Sequence, residues 1–153
     1  MTYLCEMGLY TEPKPVKLII GLLSESSEKE ALAKSELLKA FGPIDISLEP
    51  FPFLQTNYYE EEIGKNPIRS FYAFENLFAR ENIVEIKRQT NDLELQLFKG
   101  KRLVNLDPGY MTLGQFFLAT TKDQRQRVYL RNGIFVEPSL YFQKGKWHHF
   151  DWT

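Results

Sequence analysis

Apolar and polar positions along the chain follow a pattern that predicts strands and helices in turn. Residues 16–23 are almost all apolar, which is typical of a short strand buried on both faces. A helix over residues 27–41 follows, because apolar side chains recur there on one stripe. Ser27 and Glu30 predict a capping box at its start, and Gly42-Pro43 predicts its end.

Two more strands, a second helix and a fourth strand are predicted next. Strands are predicted over residues 44–48 and 68–74, where apolar and polar side chains alternate. An amphipathic helix begins at Asn82, with Glu85 three residues later as in a helix cap. A fourth strand over residues 102–106 completes the order β-α-β-β-α-β, which is the ferredoxin-like arrangement.

The C-terminal part predicts a hairpin. Strands over 127–130 and 134–142 flank Asn132-Gly133, two residues that tolerate the positive φ of a tight turn. Pro138 lies inside the second arm, which predicts an edge strand or a bulge. Residues 112–120 are predicted as a short helix, with a strand as the alternative.

Length and composition narrow the class of protein. The 153 residues suit one α+β domain, with an N-terminal segment (1–15), a ferredoxin-like core (16–110) and a C-terminal β-hairpin extension (111–153). Hydrophobic residues make up 43% and charged residues 25%, as in globular proteins. A net charge of -1 makes nucleic acid an unlikely partner. We find no apolar run of membrane-spanning length and no signal-type core, which predicts a cytoplasmic protein without a membrane partner.

The candidate chemistry centres on Asn105 and Asp107, at the end of the fourth strand. Asp107 is followed by Pro-Gly, so its carboxylate either stabilises a turn or acts as a catalytic or metal-binding group. Lys122 and Arg127 follow one element later and suit a phosphate or carboxylate ligand. On the second helix, Lys87 shares one face with Asn91 and Glu94, which is either a solvated face or the wall of a cleft.

A second candidate is the acidic run Glu60, Glu61 and Glu62 beside Tyr58 and Tyr59. The run is either a solvated segment or a source of ligands for a divalent cation, with Glu61 as a general base. No phosphate-binding loop, nucleophile elbow or H-E-x-x-H pattern occurs, so whether the protein is an enzyme stays open.

The chain also resembles a family of prokaryotic proteins, domain of unknown function family 4416. The longest matching block is Val104-Asn105-Leu106-Asp107-Pro108-Gly109-Tyr110. The other blocks are 15–18, 41–45, 49–53, 58–64, 74–75, 86–87, 90–91, 122–123, 127–130 and 133–134. The chain departs from the family at Gln126, where the family has a histidine, and in its last residues. The resemblance implies no established activity, but it favours one shared ligand site formed by these polar blocks.

The leading hypothesis is a protein that binds a small anionic ligand, such as a nucleotide or a phosphorylated metabolite, with Mg²⁺ as a possible cofactor. In this hypothesis Lys122 and Arg127 bind the phosphate, and Lys87 and Asn105 make further contacts with the ligand. Asp107 and Glu61 transfer protons, and Asp107, Glu60 and Glu62 bind the metal. Tyr58 and Tyr59 stack on a base. The alternative is a non-catalytic interaction module that uses exposed aromatic side chains, among them Trp147 and Trp152, to bind a protein or, less favourably, RNA.

Overall fold

A computed structural model describes residues 8–53 and 63–153 of the chain. These residues form eight strands and two α-helices. In chain order they are β1 (Val16–Ser24), α1 (Ser27–Phe41), β2 (Ile44–Pro52), β3 (Ile68–Phe78), α2 (Ile83–Leu97), β4 (Val104–Met111), β5 (Gln115–Thr120), β6 (Val128–Arg131), β7 (Ile134–Gln143) and β8 (Lys146–His149). A single turn of 3₁₀-helix, Arg80–Asn82, leads into α2.

All eight strands belong to one sheet, and every pair is antiparallel. The order is β2-β3-β1-β4-β5-β7-β6, and β8 pairs with β7. The protein is therefore a mixed α/β structure with more strand than helix. β1 lies between β3 and β4. Seven of its nine residues are buried, including Leu22 and Leu23 on opposite faces, which agrees with the prediction of a strand buried on both faces. Within the described ranges, no helix is long and apolar enough to cross a membrane.

Both helices pack on the same face of the sheet. Leu18, Ile20 and Leu22 of β1 form a buried core with Leu37 of α1 and Ile86 of α2. Side chains on the other face alternate with these and include Ile19 of β1 and Ile46 of β2. Ile46 is 59% exposed, so part of this helix-free face is open to solvent.

The ends of both helices differ from the predicted caps. Ser26, not Ser27, is the N-cap of α1, because its hydroxyl accepts a hydrogen bond from the backbone N–H of Lys29. Glu30 does not complete a capping box and is instead buried against the sheet. Asn82 makes no capping bond with its side chain at the start of α2.

The helix predicted over residues 112–120 is wrong, since this segment contains strand β5. A short apolar run does not distinguish a strand from a helix by its periodicity. Here the outcome is decided by the neighbouring strands, because Gln115–Thr120 pairs with β4 on one side and β7 on the other. The backbone hydrogen bonds that a helix would make internally are made across the sheet.

The turn predicted at Asp107-Pro108-Gly109 is also wrong, since β4 runs on through it to Met111. Pairing with β5 begins only at Gly109, and the N–H of Leu106, two residues before Pro108, points away from β1 to Glu94. The missing N–H of Pro108 therefore falls on the edge of β4 that has no strand partner at this point. Gly109 permits the two strands to approach closely. A Cβ at this position would lie 2.6 Å from Cζ of Phe116 and would also overlap the carbonyl oxygen of Phe117.

The C-terminal hairpin forms as predicted. Asn132 and Gly133 have φ values of 53° and 77°, which give the turn between β6 and β7. Pro138 lies beside a bulge, because Phe116 pairs with Leu140 while Phe117 pairs with Pro138. β7 is an interior strand rather than an edge, and Pro138 lies between the stretches that pair with β6 and β8.

Candidate functional site

A pocket of about 350 Å³ lies where β4 and β5 separate. The two strands pair between Gly109 and Met111 of β4, and they diverge on the side of Asp107. Helix α2 flanks the resulting gap. The pocket is lined by polar side chains from all of these elements, including Lys87, Asn91, Asn105, Asp107, Thr121 and Lys122.

Helix α2 replaces the missing strand partner at Leu106. The backbone N–H of Leu106 donates to Glu94 Oε1 at 2.6 Å, and the Lys87 ammonium donates to the Leu106 carbonyl at 3.1 Å. Buried backbone groups need such partners, and β5 is too far away to supply them. This requirement explains why Lys87 and Glu94 are only 5% and 3% exposed although both are ionisable.

Glu94 also binds Arg102, which follows the helix. The Arg102 Nε donates to Glu94 Oε2 at 2.7 Å, and its Nη2 donates to the side-chain oxygen of Asn105. Burial raises the pKa of the Glu94 carboxyl above its ordinary value, although the Leu106 N–H and Arg102 both oppose the shift. The carboxyl is thus held in the wall of the pocket by a backbone group and a cation.

Asp107 lies between cations on both sides of β4. Its carboxylate accepts a hydrogen bond from the Asn105 amide at 2.6 Å and one from Arg69 of β3 at 3.3 Å. The Lys87 ammonium lies 3.9 Å from its other oxygen. Asp107 is therefore part of a charged network rather than a turn.

Gly21 allows Arg69 to reach across β1. It pairs with Asp107 on one side and with Phe71 on the other, so it lies directly under the path of the Arg69 side chain. A Cβ at Gly21 would lie 3.2 Å from Nη1 of Arg69. Because Gly21 has no side chain, Arg69 of β3 can reach across β1 and form an ion pair with Asp107 of β4.

The Lys87 side chain is held at the base of the pocket. Burial lowers the pKa of its ammonium from the ordinary value of 10.5, while the negative charges of Asp107 and Glu94 oppose the shift. Its neighbours Arg102 and Lys122 add to the lowering. A buried amine with a lowered pKa can bind an anion in its protonated form, and it can also donate or accept a proton.

The opposite wall is formed by the segment that follows β5. Arg127 donates to Glu137 of β7 at 2.8 Å and to the backbone carbonyl of Lys122 at 3.0 Å. The N–H of Lys122 donates to the Thr120 hydroxyl at 3.2 Å. Gln126 also donates to Glu137, at 3.1 Å. These bonds fix the backbone of the segment, and Lys122 and Arg127 line the pocket.

The structure brings together five of the residues that the sequence predicted for a site. Lys87, Asn105, Asp107, Lys122 and Arg127 all line this one pocket. The other five, Tyr58, Tyr59, Glu60, Glu61 and Glu62, lie outside the described residues. Among residues 8–53 and 63–153, no group of three or more His, Cys, Asp and Glu side chains is placed to hold a metal ion.

Sequence reasoning missed Arg69 and Arg102. Arg69 is the second residue of β3 and comes just before the largely aromatic run from Phe71 to Phe74, and a charge at that position is a weak sign that the side chain has a fixed partner. Arg102 lies in the short connection between α2 and β4, where an exposed arginine is ordinary. Their roles depend on which strands become neighbours, and no local pattern carries that information.

The comparisons with known proteins identify the family. The model of domain of unknown function family 4416 (DUF4416) matches residues 14–153, so the chain belongs to this family. No curated protein and no solved structure matches the chain.

Proposed function

We propose that this DUF4416 protein binds a small organic anion, such as a nucleotide or a phosphorylated metabolite, in the pocket between β4 and β5. The observation that carries the proposal is the charge of the pocket wall. Among the residues that the structure describes, four cationic side chains, Lys87, Arg102, Lys122 and Arg127, line it together with two carboxylates, Glu94 and Asp107. The described part of the wall thus has a formal excess of two positive charges, although the whole chain carries -1.

The shape of the pocket supports a small ligand. A volume of about 350 Å³ lies within the roughly 300–1,000 Å³ of small-molecule sites. Asn91, Asn105 and Thr121 add neutral hydrogen-bonding groups to the wall. Such groups orient a polar ligand, and the cations supply the attraction for its charge.

The cations would act at different depths. Lys87 is 5% exposed, so it would neutralise the innermost part of the anion. Lys122 lies on the exposed segment after β5 and would steer and hold the outer part. Arg127 is anchored by Glu137, so its guanidinium would meet the ligand in a fixed orientation.

Mg²⁺ would enter this site on the phosphates of the ligand. The Asp107 carboxylate already interacts with Arg69 and Lys87, and an all-protein metal cage there would place a third cation beside them. Mg²⁺ in phosphate sites is commonly held by one or two carboxylates and the substrate phosphates. Asp107 is the protein ligand in this proposal, and it would also accept the proton if the reaction were hydrolysis or transfer at phosphate.

We also propose that β1 to β4 with α1 and α2 form a ferredoxin-like unit. The spatial order β2-β3-β1-β4 and the antiparallel pairing support this assignment. The pocket would then lie at the edge of that unit, where β5 begins the extension.

Thermal shift and isothermal titration calorimetry test the proposed binding. Inorganic phosphate, pyrophosphate, ribose 5-phosphate and nucleoside monophosphates would be titrated with and without Mg²⁺. At least one should raise the melting temperature of the wild type, and Lys122→Gln should weaken its binding about 10-fold. Lys87→Met should weaken it further. If none of these anions binds the wild type, the proposal is wrong.

Arg88→Gln is the matched control. Arg88 follows Lys87 on α2, but it is exposed and does not line the pocket. Its substitution removes one positive charge from the same helix, so a general electrostatic effect would appear equally in Arg88→Gln. The proposal requires that Arg88→Gln bind almost as the wild type does.

A second candidate function is protein interaction through the helix-free face of the sheet. Leu48 and Ile46 of β2 are 55% and 59% exposed, and they adjoin Ile19, Ala73 and Leu140 in one apolar depression. Analytical ultracentrifugation tests for self-association through this face. If the wild type stays monomeric at high concentration, as Leu48→Lys is expected to, the protein does not form a homodimer through this face.

A further inference from the structure

We infer that the ligand of the β4–β5 pocket is a nucleoside phosphate, whose base is bound in a second pocket on the helix-free face of the sheet. This inference rests on the proposed anion binding, and it narrows the ligand to one that has a planar aromatic ring. The second pocket, called here the phenylalanine pocket, is lined by Phe51, Phe53, Phe71 and Phe116.

The two pockets adjoin each other. Asp107 and Leu118 line both of them, from the two strands whose separation opens the gap. Both side chains lie on the helix-free side of the sheet, because Leu118 pairs with Gly109 and Asp107 is two residues before it. A molecule with an anionic group at one end and a ring at the other can therefore lie across Asp107 and fill both pockets.

The phenylalanine pocket contains the kinds of planar group on which bases stack. Phe51 and Phe71 are stacked, with ring centroids 6.3 Å apart and an interplanar angle of 23°. The Arg69 guanidinium lies 4.8 Å from the ring centroid of Phe53 and 5.9 Å from that of Phe71. Aromatic and guanidinium planes are the surfaces on which nucleobases stack in proteins.

The floor of the phenylalanine pocket is kept open by Gly21. A Cβ there would lie 3.1 Å from Cε1 of Phe71, so any side chain would fill space between Phe71 and Asp107. The pocket has a volume of about 370 Å³ and a mainly apolar wall, in contrast to the charged pocket beside it. Apolar and charged halves of one cleft match the two halves of a nucleotide.

Polar groups at the rim distinguish a base from a plain hydrocarbon ring. Arg69, Asp107 and Ser139 all line the phenylalanine pocket. Arg69 and Ser139 can form hydrogen bonds with the edge of a heterocycle, whereas a phenyl ring offers them no hydrogen-bonding group. Asp107 lies between the two pockets and keeps the role proposed for it at the phosphate end. A nucleobase is the occupant we infer, because it offers both a planar ring and hydrogen-bonding groups at its edge.

Isothermal titration calorimetry with the full chain tests the inference. The probes are ribose 5-phosphate, AMP, GMP, CMP and UMP, because each nucleotide differs from ribose 5-phosphate mainly by its base. At least one nucleotide should bind about 10-fold more tightly than ribose 5-phosphate, as expected for a stacked base. Phe51→Leu should remove most of that advantage and leave the affinity for ribose 5-phosphate unchanged.

Two further variants keep the test decisive. Phe71→Leu should repeat the effect of Phe51→Leu, and Phe142→Leu is the matched control, because Phe142 is 46% exposed and does not line the pocket. Lys122→Gln should weaken all five probes by a similar factor. The affinity pattern therefore separates the part of the protein that binds the base from the part that binds the phosphate.

The outcomes separate this inference from the proposed function. If ribose 5-phosphate and all four nucleotides bind equally well, the base site is wrong and anion binding stands. A nucleotide advantage that survives both Phe51→Leu and Phe71→Leu would also overturn the base site. If none of the five probes binds, the proposed function fails for phosphorylated ligands, and the base site fails with it.

Discussion

Each of the two helices buries one carboxylate against the sheet, and the two are bound in different ways. Glu30 of α1 accepts hydrogen bonds from the hydroxyls of Ser70 and Tyr72 on β3, the first at 2.6 Å. Glu94 of α2 accepts one from the backbone of Leu106 and one from Arg102. Both carboxylates are at most 9% exposed, so burial alone does not distinguish them.

The difference lies in the strands beneath them. β3 is paired on both sides, and Glu30 meets neutral side-chain hydroxyls above a complete part of the sheet. At Leu106, β4 is paired with β1 but has no strand partner on the side of β5, so Glu94 and Lys87 complete its hydrogen bonds there and lie next to a pocket. In this sheet, the buried charges at the gap line a pocket, whereas the buried carboxylate over the closed part of the sheet contacts neighbouring side chains.

Replacement of each carboxylate by leucine gives the largest expected effect. Glu94→Leu should lower the free energy of unfolding by about 3–5 kcal/mol, because it leaves a buried N–H and a cation without their partner. Glu30→Leu should cost less, about 1–3 kcal/mol, since it deprives only neutral hydroxyls of an acceptor. Urea denaturation of both variants measures the two values. If Glu30→Leu lowers the free energy of unfolding as much as Glu94→Leu or more, the proposed difference between the two carboxylates is wrong.

The gap depends on how tightly β4 and β5 close beside it, and Gly109→Ala tests this. The added Cβ would overlap the backbone of β5, so the strands must separate at their closest point. We expect a loss of about 1–3 kcal/mol in the free energy of unfolding. Gly114→Ala is the control, because nothing lies within 4 Å of a Cβ there. A neutral Gly109→Ala would show that the strands are not held in close contact.

The pH dependence of stability distinguishes Glu94 from an ordinary carboxylate. Burial raises the pKa of Glu94 above its ordinary value of 4.5, so the folded state holds this proton more tightly than the unfolded state. Its contribution to stability is therefore largest below pH 4.5 and is lost as the pH rises through the raised pKa. Glu94→Gln should remove this part of the dependence of the free energy of unfolding on pH, measured by urea denaturation at several pH values from below 4.5 upwards. A slope unchanged by Glu94→Gln would contradict the expected shift.

The smallest effect is expected at an exposed carboxylate on the same helix. Glu85 of α2 forms an ion pair with Arg131, and hydrogen bonding to Arg131 lowers the pKa of Glu85. This pair should stabilise the fold above the ordinary pKa of Glu85 and lose its effect as the pH falls through the lowered value. Arg131→Gln should raise the pKa of Glu85 in an NMR titration and hardly change the urea midpoint at neutral pH. A large change in midpoint would mean that this pair is structural.

Elements with strong local signals could be predicted from the sequence. The apolar run of β1 and the Asn132-Gly133 turn have one reasonable interpretation each, and the structure agrees with both. The segment of β5 has no such signal, because its short apolar run fits a helix or a strand until its neighbours are known. The Pro-Gly pair in β4 is misleading for a related reason. Its glycine serves the close approach of β5, which is a contact between distant parts of the chain.

The candidate site divides in the same way. The block around Asp107 and the pair Lys122 and Arg127 could be selected from residue type and position, and the structure places them around one pocket. Arg69 could not, because it reaches Asp107 across β1 from another strand, and that route requires the glycine at position 21. Contacts that cross a third strand are not encoded in any local spacing.

The central place of β1 also has a consequence for synthesis on the ribosome. β1 is made before both of its neighbours in the sheet, β3 and β4. Its pairing with β4 joins residues as far apart in sequence as Lys17 and Met111. Such distant pairings slow folding, because a long loop must close before any contact is gained. In an emerging chain, one edge of this apolar strand therefore stays unpaired until β4 has been made, and a chaperone that shields residues 16–24 during this interval should raise the yield of folded protein.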